Sequence, residues 1–273
     1  METKRISGLG QIRIYTGKCF RMFVNEKGWK NFISAVIITL IIALVTGEDT
    51  FVVFKDTRNG AFALICACIW IGLFNSIQSI CRERDIIKRE HRTGLRVSSY
   101  VVAHMIYELA LCAAEALIVT LIIFVKNWGH TPEAPLIFPA GIELYITFLL
   151  IIYSADVLGI AISSMVKTPN AAMVIMPFVL IIQLVMSGMI FELKGFAEKI
   201  SYITISKWGL NAVCSTANVT ELSEAIMVTE AMEKDYEHTA GHLVNMWQIL
   251  LLFIVIYGII SVIALKFVDR DKR

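Results

Sequence analysis

Three carboxyls and a histidine stand out in the apolar runs of this chain, away from their outer ends: His104, Glu108 and Glu115 within 101–125, and Asp156 within 141–166. Ionisable groups in such runs are costly to bury and are functional candidates by default. Spacings of four and seven put His104, Glu108 and Glu115 on one helical face. With a rise of about 1.5 Å per residue, Glu108 lies roughly 10 Å and Glu115 roughly 21 Å from residue 101. Asp156 sits at a comparable depth. Three kinds of chemistry fit this pattern. The groups line a transport path, they hydrogen-bond neighbouring helices together, or they move protons in catalysis, as an intramembrane aspartyl or zinc protease does. No HExxH, GxSxG or GxxxxGK[ST] accompanies them, so hydrolysis of ATP by a P-loop is not open to this sequence.

The second concentration of chemistry is the segment 81–100, CRERDIIKREHRTGLRVSSY, in which ten of twenty residues carry or can carry charge. Ile86 and Ile87 give it an apolar side, the build of a short amphipathic docking helix. Asp85 precedes Arg89 by one turn, which supports a helix, and Gly94 frees the chain to turn afterwards. Other polar groups carry weaker signals. His238 and His242 beside Glu237 are read as a solvated helix face before a metal site. Asn218-Val219-Thr220 is an N-x-T sequon. The six cysteines show no ligand spacing, and neither a metal nor any other cofactor is expected on the chain itself.

The elements that position these groups follow from composition. A hydrophobic share of 57% and a mean hydropathy of +0.69 exceed those of soluble domains and indicate an all-α integral membrane protein forming a single transmembrane domain over 1–273. A net charge of +2 leaves no basic patch for nucleic acid. Six apolar runs are expected to span the membrane: 32–45, 61–80, 101–125, 141–166, 171–190 and 246–267. The first begins behind some thirty mostly polar residues, so no cleavable signal peptide is expected. Within the amino-terminal segment 1–31, residues 9–30 read as a basic amphipathic helix on the membrane surface. Thr168 and Pro169 form a helix start, and Pro177 predicts a kink. Of the 25 Lys and Arg residues, 18 fall before Phe32, in 81–100, at Lys167 and after residue 265. By the positive-inside rule that face and both termini are cytoplasmic. The long outer loop 191–245 divides into an aromatic part that dips into the headgroup layer and an acidic, water-exposed part from 220 to 242.

The stretch ERDIIKREHRTGLRVSSYVVAHMIYEL resembles the membrane subunits of ATP-binding cassette exporters of the second exporter type, the group of the white and subfamily G permeases. The likeness rests on Glu83, Arg84, Arg89, Glu90, Gly94, Leu95, Tyr100, Glu108 and Leu109. DVLGIAISSMVKTPNAAMVIMPFVLIIQLVMSGMIFEL and ISYITISKWGLNAV resemble that family's fourth and fifth spans and its outer re-entrant segment. Ala110 departs from the pattern, standing where the family often has proline. Within the family the sequence looks most like bacterial permeases whose ATPase carries forkhead-associated domains.

The resemblance implies six transmembrane helices with an amino-terminal elbow helix, a cytoplasmic coupling helix at 82–92 and a multi-pass location in the plasma membrane. It implies a partner ATPase that binds the ATP and magnesium, and a second permease copy or paralogue. Glu83, Arg84, Asp85, Lys88, Arg89, Glu90 and Gly94 would couple to the ATPase. Asp85 and Arg89 would support the helix while the remaining charges face outward. Trp70, Phe74, Asn75, Phe178, Ile182 and Met186 would line a path for export of a lipid-like, amphipathic or peptide cargo. Ser187, Gly188 and Met189 would form an outer gate. The competing readings are a membrane-embedded enzyme using Glu108, Glu115 and Asp156, and a non-transporting scaffold for an ATPase.

Overall fold

A computed structural model describes residues 7–47, 49–130, 132, 136–191, 193–223, 225 and 229–267. The basic cluster expected at 269–273 lies outside them. Twelve α-helices follow one another among the described residues: α1 Gly8–Asn25, α2 Lys30–Val45, α3 Phe54–Ser76, α4 Ser79–Arg82, α5 Arg84–Arg92, α6 Val97–Lys126, α7 Ala140–Met165, α8 Pro169–Val185, α9 Phe196–Ser201, α10 Ile205–Thr216, α11 Glu230–Asp235 and α12 Ala240–Lys266.

Among the described residues four stretches are long and apolar enough to cross a membrane, Phe54–Arg82, Val97–Lys126, Ala140–Met165 and Ala240–Lys266, and α1 with α2, bent by 73°, makes a fifth if the pair counts as one span. The helices α2 and α8, with 16 and 17 residues, are shorter. The apolar runs therefore mark the elements, while their ends depart from the sequence expectation. α3 starts seven residues early because its amino end is held from outside. The Phe54 amide donates to the Ser223 carbonyl at 3.0 Å, and the Thr57 hydroxyl accepts from the Phe51 amide at 2.8 Å. α8 begins as the sequence indicates, with the Thr168 hydroxyl accepting from the Ala171 amide at 3.3 Å. It stops at Val185, five residues short of the expected end. α12 starts at Ala240, inside the part expected to be an acidic loop, and Thr239 caps it by accepting from the His242 amide.

The central helix is α7, which packs on α3, α6 and α12 and is buried along most of its length. Two glycines bring it against α3. A Cβ on Gly72 would strike the Ile152 carbonyl oxygen, and one on Gly159 would strike the Ser76 hydroxyl. Small residues at a helix contact allow such an approach between apolar spans. At the entry to α7, one oxygen of the buried Glu143 accepts three backbone amides, from Leu136, Ile137 and Phe138, at 2.7–3.0 Å. At the same end of the bundle the Lys126 ammonium donates to the Thr46 and Gly47 carbonyls and closes the end of α2. α10 is wedged against α3, α7 and α12, with Gly209 against Ile151. Part of the loop expected in water is buried too: Tyr236 is 4% exposed and its hydroxyl accepts from Arg58 Nε at 3.1 Å.

Candidate functional site

The charged segment forms two short helices, α4 and α5, at the end of the bundle where α3 finishes and α6 begins. Ile87 is fully buried and anchors α5 in an apolar cluster with Ile80, Leu95, Val97, Tyr100, Val101, Ile160 and Leu265. Ile86 points the other way and is partly exposed. The charges divide between the two faces. Glu83, at the junction of α4 and α5, accepts from the Lys18 ammonium at 3.0 and 3.2 Å and from the Tyr100 hydroxyl at 2.8 Å. Arg84 donates from Nη1 to the Ser164 and Val166 carbonyls at 2.8 and 3.0 Å, placing a cation at the carboxyl end of α7, where the helix dipole favours it. Glu90 accepts from the Tyr15 hydroxyl at 2.7 Å. Glu83, Arg84 and Glu90 therefore face the bundle, against the expectation that every charge other than Asp85 and Arg89 points outward. Asp85, Lys88, Arg89 and Arg92 line an outward hollow together with Ile86.

Glu83 is electrostatically set by these neighbours. Burial alone would raise its pKa, but the hydrogen bonds from Tyr100 and Lys18 and the Lys18 charge outweigh it and hold the carboxyl below its ordinary range. Gly94 ends the segment with φ +112°, in the region that favours glycine. Its carbonyl accepts from Gln11 Nε2 at 3.1 Å, and Gln11 Oε1 accepts from the Arg96 amide at 2.9 Å. The roles of Gln11, Tyr15 and Lys18 are not among the sequence expectations. The Tyr15 ring packs on Tyr100, with centroids 5.5 Å apart. A signal was present all the same, since residues 11, 15 and 18 share one face of α1.

Behind α5 the polar groups continue into the bundle. His104 is buried, its ring 4.6 Å from that of Tyr100 and its Nε2 3.8 Å from the Cys19 sulfur. Glu115 accepts from Asn75 Nδ2 with both oxygens, at 2.8 and 2.9 Å. Glu108 and Asp156 are buried as well. Both Asp156 carboxyl oxygens and Glu108 Oε2 have no hydrogen-bond partner among the described residues. The single polar stripe expected on α6 thus divides into an outer group, His104 with α1, and an inner group, Glu115 with α3. Among the described residues no three His, Cys, Asp or Glu side chains converge as a metal site.

The residues expected to line a path fall into two sets. Trp70 and Phe74 on α3, and Phe178 and Ile182 on α8, are 46–62% exposed and share one apolar surface. Between the two helices lies a hollow of about 240 Å³ lined by Cys66, Ile69, Trp70, Pro177, Leu180, Ile181, Gln183 and Leu184. Asn75 is turned inward to Glu115 and does not share this surface. Met186, half-buried, follows the last residue of α8. Ser187, Gly188 and Met189 form a tight turn, in which the Ser187 hydroxyl donates to the Leu184 carbonyl and accepts from the Met189 amide. Gly188 supplies φ +77°. Gln183 ties this end of α8 to α10, its Oε1 accepting from the Ser206 amide at 3.1 Å.

The chain is 24% identical over 233 residues to the ABC transporter ATP-binding/permease protein Rv1747 of Mycobacterium tuberculosis, covering 81% of this chain and 27% of that protein. It is 20% identical over 227 residues to the broad substrate specificity ATP-binding cassette transporter ABCG2 of Bos taurus, covering 77% of this chain and 34% of that protein. The chain thus spans about a quarter to a third of the length of these relatives. Residues 10–217, which run from α1 through α10 and include the whole charged segment, match the ABC-2 type transporter family, and the chain belongs to that family of transporter membrane domains.

Proposed function

We propose that this chain is the permease part of an exporter driven by ATP hydrolysed on a separate ATPase unit, and that α5 is the helix on which that ATPase docks. The observation that carries the reading is the two-sided build of α5. Arg84, Glu83 and Glu90 bind it to the bundle, and Asp85, Lys88, Arg89 and Arg92 line a hollow beside it. A charged outer face on a helix rigidly seated at the base of the spans suits a contact that transmits movement. The names of both relatives join permease or transporter with ATP binding, which supports an ATPase partner. An ATPase with forkhead-associated domains is the specific partner proposed.

In this reading α2 and α8 also span the membrane, giving six helices with α1 as the elbow, and α9 with α10 as the re-entrant segment. The end carrying α5 and both termini faces the cytoplasm, by the distribution of Lys and Arg. A second copy meets the α3 and α8 surface, and cargo passes along that seam. Its apolar lining favours a lipid-like or amphipathic molecule, or an apolar peptide. ATP and magnesium bind the ATPase.

The test is charge reversal on the outer face. The chain carrying Arg89→Glu and Arg92→Glu, reconstituted in lipid discs, is expected to keep its thermal stability and to lose both co-purification with its ATPase and stimulation of ATP hydrolysis. Unchanged association and stimulation would overturn the assignment.

A further inference from the structure

We propose that a hollow at the end of the bundle opposite α5 binds a small organic cation, one that carries an ammonium group beside an apolar part. The hollow has a volume of about 450 Å³, within the range of roughly 300–1,000 Å³ usual for small-molecule sites. Three stretches wall it: Phe51 and Val52 before α3, Gly129 and His130 after α6, and residues between 216 and 223 from the end of α10 onward. It shares no residue with the hollow between α3 and α8. The inference draws nothing from the docking role of α5. The orientation proposed above adds only that this end faces away from the cytoplasm.

The walls are fixed by their own hydrogen bonds. The Ser223 amide and hydroxyl both donate to the Val52 carbonyl, at 3.2 and 2.6 Å, and the Ser223 carbonyl accepts from the Phe54 amide at 3.0 Å. Asn218 opens the short helical turn Val219–Glu221 and donates from Nδ2 to Glu221 Oε2 at 2.9 Å, which holds the carboxylate in place. On the third side the His130 amide donates to the Asn127 carbonyl at 3.0 Å. A site held this way loses little freedom when its ligand arrives.

The lining selects the charge of that ligand. Glu221 is the one carboxylate among the described lining residues, and no Lys or Arg is among them. The Ser223 hydroxyl has spent its proton on Val52 and is left as an acceptor, and a neutral His130 offers one acceptor nitrogen. Thr216 is fully buried, and its hydroxyl has no hydrogen-bond partner among the described residues, a condition rare enough in folded chains to point to a partner from outside. Such a lining repels an anion. An ammonium group supplies three donors and the opposite charge to Glu221, while Phe51, Val52, Ala217 and Leu222 meet the apolar part.

The full chain in lipid discs is titrated calorimetrically with benzylamine, benzamide and benzoate, which share a ring and differ in charge. Benzylamine is expected to bind saturably, one per chain, and to raise the melting temperature. Benzamide and benzoate are expected to bind at least about tenfold more weakly. Glu221→Gln keeps an oxygen for Asn218 and removes the charge, and benzylamine affinity falls at least about tenfold. Thr216→Val keeps the shape and lowers it at least about threefold. Glu237→Gln, an exposed acid of the same loop outside the hollow, changes it by less than about twofold. Glu221 is exposed, so its replacement spares the fold, and the test stands on it should Thr216→Val fail to fold. Benzylamine that does not saturate, benzoate that binds as tightly, affinity that survives either lining variant in a folded chain, or equal losses from Glu221→Gln and Glu237→Gln would each overturn the site.

Discussion

Glu83 and Glu143 show how one carboxylate can organise backbone and helices from a distance. In the folded chain Glu83 lies below the ordinary carboxylate value of 4.5, so its ionised form stabilises the fold above that value and the contribution is lost as pH falls through the folded one. Tyr100→Phe removes one of the bonds responsible. Its deficit in melting temperature against the unaltered chain is expected to be largest near neutrality, at about pH 7, and to shrink as pH falls below the ordinary carboxylate value; a gap independent of pH would show that Tyr100 acts by packing alone. Glu143 is a different case because a single oxygen, Oε1, accepts all three amides while Oε2 has no hydrogen-bond partner among the described residues. Glu143→Gln can keep its carbonyl oxygen at that point, so a small effect is expected. Glu143→Ala strands three buried amides and is expected to cost about 3 kcal/mol or more in chemical unfolding. Equal losses in the two variants would refute this account. Neither role was legible from spacing, since Tyr100, Lys18 and Glu83 are distant in sequence and Glu143 is an ordinary first-turn acid.

At the scale of elements, what is written locally was legible and what is written across the fold was not. The Thr168-Pro169 start of α8 needs only its own turn to form, and its cap is present. The extent of α3 depends on Ser223, and the burial of Tyr236 depends on Arg58. Both contacts join residues more than 150 apart, so the polar stretch at the start of α3 and the acidic loop gave no local sign of them. The amphipathic build of α5 was legible, but not which charges turn inward, because that choice is made by α1, α6 and the end of α7. The close approach of α3 and α7 is a further non-local fact with a direct test. The space at Gly72 is closed by the backbone carbonyl of Ile152, and backbone cannot swing aside as a side chain can. Gly72→Val is therefore expected to destabilise the bundle by about 2–3 kcal/mol. Gly241→Val, at a glycine with nothing within 4 Å, should leave stability nearly unchanged apart from helix propensity. A tolerated Gly72→Val would mean that the two helices can separate without loss.

For the whole molecule, exposed apolar area alone does not separate a surface facing lipid from one facing a second chain. α12 exposes Leu251, Leu252, Val255, Ile256, Ile259 and Ile263, and aliphatic side chains of this kind are at home in lipid. The surface shared by α3 and α8 differs in two respects. It sets the ring of Trp70 at the edge of a hollow of about 240 Å³ and exposes the rings of Phe74 and Phe178 on the same two helices, and aromatic anchors beside a cavity are the ordinary build of a protein contact. Its second helix is also weakly held. α8 has 17 residues and buries only Ala172, Met176 and Gln183, so a single chain leaves most of its surface unpacked. A second copy packing its own rings into the hollow would supply the missing contacts, which is why the proposed seam is placed here and not on α12. Phe178→Cys, treated with a short thiol cross-linker in native membranes, is expected to yield covalent dimers, whereas Leu251→Cys under the same treatment stays monomeric. Dimers from Leu251→Cys and none from Phe178→Cys would move the seam to α12 and turn the α3 and α8 surface over to lipid.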